Sequence, residues 1–243
     1  TSSVSASTTV AGAGSNVGGL VGQSNGPISN SSSAASVNGT TSVGGLVGLS
    51  YSSITNSSST ANVIGTSYVG GLVGHSYSSV SNSTASNALM GSYTFASGTT
   101  ITYGIKGTSQ VGGLVGLNNN GGTITNSTSN TTVLGLGSDT GGGVGQMLYG
   151  TITGSGSAGA VYGFNETGGM VGQMYNASSI NTSYSNADVI STQNATSSSK
   201  TGGFVGYFNT YNGSITSSRA AGSVKGTYNV GGFAGYLSNT SSG

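Results

Sequence analysis

The chain has 243 residues, of which 3% are charged, and a formal net charge of +1. So thin a charge excludes the basic footprint of a nucleic-acid binder, and no apolar run approaches the ~20 residues of a membrane helix. Cysteine is absent, which excludes disulfides and thiolate metal sites. No methionine stands at position 1, which points to a processed or excised segment.

Glycine, at 47 residues, is abundant but periodic. The hexapeptide VGGLVG begins at Val17 and returns unchanged at Val43, Val69 and Val111. Looser copies follow, anchored at Thr140 (TGGGVG), Thr167 (TGGMVG), Thr201 (TGGFVG) and Val230 (VGGFAG). The intervals of 26, 26, 42, 29, 27, 34 and 29 residues mark a repeat architecture. Each copy but the last is followed by an apolar residue, at Ile28, Ile54, Val80, Ile124, Ile152, Ile180 and Ile215. Three positions on comes serine, at Ser31, Ser57, Ser83, Ser127, Ser155, Ser183 and Ser218. Nine positions on comes another apolar residue, at Val37, Val63, Leu89, Val133, Val161, Val189 and Val224, and eleven on comes glycine except at Ser191. This second block keeps one length in all copies, so the length variation is placed in the link back to the next hexapeptide.

Helix suits these segments poorly, because glycine costs about 1 kcal/mol per helical site. Short strands between Gly and Asn turns suit them well. The sequence therefore predicts an all-β fold, a single repeat domain over 1–243 forming a β-solenoid of about eight coils, one per repeat. Each coil would hydrogen-bond to its neighbours at about 4.8 Å, giving a rod roughly 35–40 Å long. The paired glycines have two candidate causes: a corner with positive φ, or a strand squeezed against a neighbouring wall.

The pattern V-G-G-L-V-G … I-x-N-S … V-x-G resembles the GLUG motif of bacterial and archaeal secreted surface proteins. The match is best between Val43 and Val69 and weakest at Gly141 to Gly145, where Gly143 takes the Leu slot. The resemblance implies an extracellular β-solenoid of adhesins and large surface proteins. It implies no catalytic residues and no cofactor.

The repeat frame opens with the second half of a coil and closes near Gly243 with the first half. Bare strand edges template association, so head-to-tail stacking into an open filament is one expectation. A truncated piece of a longer solenoid is the other.

Candidate chemistry is sparse. Asp139, Glu166 and Lys200 hold equivalent slots in successive coils, which predicts a vertical row. Two carboxylates ~5 Å apart have the spacing of a retaining glycosidase or of half a Ca²⁺ site; the plain alternative is a surface row in which Lys200 offsets Glu166. His75 is the single histidine, so neither a triad nor a zinc site is available. No lysine follows the glycines as a phosphate loop requires.

Twelve Asn-x-Ser/Thr sequons are candidate glycosylation sites. Asn176, Asn194, Asn212 and Asn239 lie in variable stretches and are favoured; Asn30, Asn56, Asn82, Asn126, Asn38, Asn130, Asn165 and Asn181 complete the set. For the Asn after the Ile slot two readings stay open. With Ile28 inward, an uninterrupted strand points Asn30 inward too, into a stacked amide ladder; a bend would turn it outward.

Thr/Ser pairs flank the Ile slot (Ser53/Thr55, Thr123/Thr125, Thr151/Thr153) and would form outward hydroxyl ranks of the kind seen on ice-binding solenoids. Tyr184 and Arg219 share a slot, which predicts a cation–π stack. The stretch 92–110 reads as a β-hairpin around Ser97-Gly98. It is read as a lateral contact rather than a clasp on its own rod, and as leaving the same corner as the link 192–200.

The expected function is non-enzymatic: an extracellular, glycosylated subunit of a surface filament or adhesin stalk, with further copies of itself and covalent glycans as partners and no metal. The alternatives are a carbohydrate- or ice-binding module, and an enzyme resting on Asp139 and Glu166.

Overall fold

The computed structural model describes residues 5–89, 91–192 and 199–238. Among them there is no helix, and hence none long and apolar enough to cross a membrane. The chain winds as a β-solenoid of about eight coils whose short strands stack into five parallel sheets, four of eight strands and one, sheet III below, of seven. In chain order within a coil, sheet I runs from Ser15–Gly18 to Val230–Gly231, and sheet II from Val21–Ser24 to Ala234–Ser238. Sheet III runs from Ile28–Ser29 to Ser214–Thr216, sheet IV from Ser5–Ala6 to Arg219–Ala220, and sheet V from Val10–Ala11 to Val224–Lys225.

The register follows the repeat. Val17, Val43, Val69, Val111, Thr140, Thr167, Thr201 and Val230 stack in sheet I. The Leu slots stack likewise: the N–H groups of Leu20, Leu46 and Leu72 donate to the carbonyls of Leu46, Leu72 and Leu114, each at 2.9 Å. Leu46, Leu72, Leu114, Met170 and Phe204 are buried in one continuous core with Ile54, Val80, Ile124, Ile152 and Ile180. At the weakest copy the core repairs itself: Met170 Sδ lies 2.9 Å from where a Cβ on Gly143 would sit.

The hexapeptide glycines are explained by close approach. None has φ in the left-handed region. A Cβ on Gly44 would lie 2.0 Å from its own coil's Val47 carbonyl oxygen and 2.6 Å from the Gly74 nitrogen. On Gly45 it would lie 2.2 Å from the Gly71 carbonyl oxygen. Sheets I and II thus approach backbone to backbone, with no space for a side chain.

Left-handed residues stand instead just before the hexapeptide (Asn16, Ser42, Tyr68, Gln110, Asp139), in the turn between sheets II and III (Tyr149, Asn176, Asn212) and at the corner between sheets III and IV. Asn30, Asn56, Asn82 and Asn126 have φ of 48–49°, a conformation asparagine tolerates better than most residues. The residue after each is the serine of the second block, now buried. Its hydroxyl donates to the carbonyl two residues back and accepts the N–H of the matching serine one coil earlier, from Ser31 to Ser218 without a break.

Two expectations from spacing are corrected. The apolar residue stacked on Val63 in sheet V is Ile105, not Leu89. Ile105 is fully buried and Leu89 is 53% exposed. The insertion therefore falls inside the second block, whose length is not constant; a V-x-G lookalike, Leu89-Met90-Gly91, stands where the chain departs. The hairpin pairs Gly91–Thr94 with Thr100–Tyr103, and Ile105–Gly107 already belongs to sheet V. It leaves before sheet V, whereas the link from Thr192 follows sheet V, so the two do not share a corner; residues 193–198 of that link lie outside the described residues.

The hairpin is also a clasp. It folds along its own rod, packing Ile101, Tyr103, Tyr93 and Phe95 over Ile64, Leu134 and Tyr162. Lys106 Nζ sits 5.3 Å from the Tyr93 ring centre. The outward apolar row of sheet V explains this: without the hairpin, those side chains would face water.

Candidate functional site

In four coils the bend of the hexapeptide brings together the side chain just before it and the one just after it. Asn16 Nδ2 donates to Gln23 Oε1 at 3.2 Å, the Tyr68 and His75 rings are 5.2 Å apart, Gln146 Nε2 reaches Asp139 Oδ2 at 3.2 Å, and Lys200 Nζ lies 4.4 Å from the Tyr207 ring centre. The pairs form a seam along the rod. The sequence aligns both rows, one on each side of VGGLVG, but not their meeting across the bend.

The predicted row Asp139, Glu166, Lys200 lies in this seam. Glu166 pairs in register with Lys200, and Lys200 Nζ contacts Glu166 Oε1 at 2.7 Å. Asp139 Oδ2 accepts from Gln110 Nε2 at 2.8 Å as well as from Gln146, and Gln146 Nε2 also donates to Gln173 Oε1 at 2.7 Å. Burial pushes the Asp139 carboxyl up to about 7; the Gln110 hydrogen bond opposes this, Glu166 adds to it, and Lys200 opposes it. Asp139 is only 3% exposed, so a sugar ring has no path to it. The arrangement ties four coils together rather than presenting a paired acid and base to solvent.

His75 is packed between Tyr68 and Tyr77, the latter at 4.3 Å between ring centres, and Tyr77 stacks on Tyr51 at 5.0 Å. Burial lowers its pKa to about 4, so the ring is neutral. Its coil neighbours in register are Leu49 and Leu117, and it serves as one more packed ring. Among the described residues no group of three or more His, Cys, Asp or Glu could hold a metal ion.

These observations define a repeat in structure as well as in sequence: hexapeptide, Asn corner, serine ladder, V-x-G strand. The GLUG motif model matches residues 39–64, 65–89 and 107–134. This is a GLUG-repeat protein. The second match ends at Leu89, where the hairpin departs from the rod. No curated protein and no solved structure matches the chain.

Of the candidate glycan sites of the GLUG-repeat protein, Asn38, Asn56, Asn82, Asn126, Asn130, Asn181 and Asn212 are exposed, and Asn30, Asn165 and Asn176 are half-buried. Asn194 and Asn239 lie outside the described residues. The corner bend turns Asn30, Asn56, Asn82 and Asn126 outward, so the inward amide ladder does not form. Exposure does not favour Asn176 over these corner residues.

The Thr/Ser pairs of sheet III stand in two outward ranks, one running Thr55, Ser81, Thr125, Thr153, Asn181, Thr216. Asn181 Oδ1 accepts from Thr216 Oγ1 at 3.0 Å, which breaks the uniform hydroxyl array. Arg219 lies 5.6 Å from the Tyr184 ring centre, on sheet IV.

Proposed function

We propose that this chain is an extracellular structural protein, the rod of a surface filament or adhesin stalk that lengthens by stacking solenoids end to end. The observation that carries the reading is the unbroken register of five parallel sheets through about eight coils. Such a rod lengthens by adding copies of what it already contains, without new chemistry. The eighth coil repeats the ladder positions of the seventh, yet Phe233 is 37% and Leu237 65% exposed, where Phe204 is fully buried. A further coil on this side, whether the next repeat of the same chain or a coil of a second copy, would cover them and satisfy the strand edges. Outward sequons and a skin of Ser, Thr and Asn fit a secreted, glycosylated surface. No catalytic role is proposed for any residue.

Electron microscopy of the purified chain tests the assembly. Filaments many times longer than a single rod are expected, with Phe233→Asp reducing them to short rods while circular dichroism stays unchanged. Short rods alone from the unaltered chain, across a wide concentration range, would remove the filament reading.

A further inference from the structure

One flank of this rod is free of charge. From sheet II, across the turn, to sheet III, no coil carries a charged residue. The four basic and three acidic side chains lie on sheet V (Lys106, Asp188, Lys225), on sheet IV (Arg219) or in the seam. The same uncharged flank collects exposed tyrosines at the end of sheet II and in the turn behind it: Tyr51 is 50%, Tyr149 57% and Tyr211 51% exposed. These rings do not form a continuous apolar patch. Serine, asparagine and glycine separate them, and the hydroxyl ranks of sheet III adjoin them.

We infer that this flank is a binding surface for an extended, neutral polysaccharide lying along the rod. A pyranose presents an apolar C–H face and a rim of hydroxyls. It therefore needs aromatic platforms with hydrogen-bonding groups beside them, and no charge. A polyanion would be drawn to the cations, which sit on other faces. A folded protein partner would need a contiguous apolar centre, which the intervening polar residues deny. Part of the platform is already ordered: the Tyr51 and Tyr77 rings stack at 5.0 Å with 10° between their planes, and Tyr77 is backed by His75 at 4.3 Å. Rings held before the ligand arrives lose little side-chain freedom on binding. Tyr51 and Tyr77 occupy one slot of consecutive coils, about 4.8 Å apart, and Tyr149 and Tyr211 stand in the same turn of later coils, so an extended chain running along the axis meets more than one ring.

Affinity electrophoresis of the whole chain tests this, with gels containing a soluble β-glucan, a galactomannan or a xylan, and alginate as the charged arm. Retardation by at least one neutral polysaccharide is expected, insensitive to added salt. Tyr51→Ala combined with Tyr77→Ala, and separately Tyr211→Ala, should weaken it about tenfold, while Tyr51→Phe, which keeps the ring, and Lys225→Ala should not. Tyr211→Ala alters a side chain that is half in water, so its fold is secure if the double variant proves unstable. The inference is overturned by no retardation in any neutral gel, by retardation in alginate alone or lost with salt, or by alanine variants that bind as the parent does. It is equally overturned if the tyrosine variants abolish side-by-side association of rods in the absence of sugar, for then the occupant is a second copy.

Discussion

The backbone N–H of Ser83 donates to the hydroxyl of Ser127, one coil on, at 3.1 Å, and that hydroxyl donates in turn to the Thr125 carbonyl at 2.9 Å. Ser127 is thus both acceptor and donor in a place water does not reach, with 1% of its surface exposed. Ser127→Ala leaves the buried Ser83 N–H without its partner, while the Thr125 carbonyl keeps the Asn82 N–H at 3.0 Å, and should cost about 1–3 kcal/mol. Ser58→Ala, on the outward side of sheet IV, should stay within about 0.5 kcal/mol. Urea unfolding of both variants decides the matter; equal losses would mean that the ladder contributes nothing particular to stability.

Glycine substitutions should separate into two groups. Gly45→Ala puts a methyl 2.2 Å from the Gly71 carbonyl oxygen, which is backbone on both sides and has no rotamer with which to yield. A loss of about 3 kcal/mol or more is expected from such overpacking. Gly26→Ala meets nothing within 4 Å and its φ is not left-handed, so restricting the unfolded chain should make it neutral or stabilising by about 0.4–1 kcal/mol. Thermal melts of the two variants on opposite sides of the parent would bear this out.

The pH response comes from two buried groups with opposite signs. The Asp139 carboxyl, pushed up to about 7 by burial, binds its proton more tightly folded than unfolded, so its contribution falls as pH rises from about 4 to 7. His75, lowered to about 4, binds its proton more weakly folded, so its contribution rises as pH climbs from about 4 to 6.5. The two sit in different coils with no shared partner, so their effects should add. The parent chain should therefore show a shallow stability profile across this window. Asp139→Asn should expose a rise with pH, and His75→Leu, which copies Leu49 and Leu117 on either side, should expose a fall. Denaturant midpoints at pH 4.5, 5.5 and 6.5 measure the slopes, and identical slopes in all three proteins would contradict the assignment.

The sequence made the coil legible because the ladder repeats one residue type at each packing position. A hexapeptide written eight times leaves no doubt about what stacks on what. Two things were hidden for physical reasons. The hairpin borrowed a leucine and a glycine at the V-x-G spacing, so pattern alone preferred Leu89 where burial chose Ile105. The Asn corner was ambiguous because strand parity assumes a straight strand, and one left-handed residue such as Asn56 (φ 49°) cancels it. The seam escaped for a third reason: its two rows lie seven residues apart, as in Asp139 and Gln146, a separation that means nothing until the glycine bend folds it shut. The row Asp139–Glu166–Lys200 could be placed from spacing, but the burial of Asp139 could not.

The corner asparagines lead to a prediction about modification. Asn56, Asn82 and Asn126 are exposed and occupy the same corner of three consecutive coils, with the strands beside them in register. Consecutive coils are about 4.8 Å apart, so sugars attached to two neighbours in the row would overlap. The folded rod therefore accommodates glycans only at alternate positions of Asn30, Asn56, Asn82 and Asn126. Glycopeptide mass spectrometry of material from the natural source should find occupancies at Asn56 and Asn82 that sum to no more than one, and likewise at Asn82 and Asn126. Full occupancy at both members of either pair would require the corner to open or the coils to separate, and would contradict the stacked register on which the exposure of these residues rests.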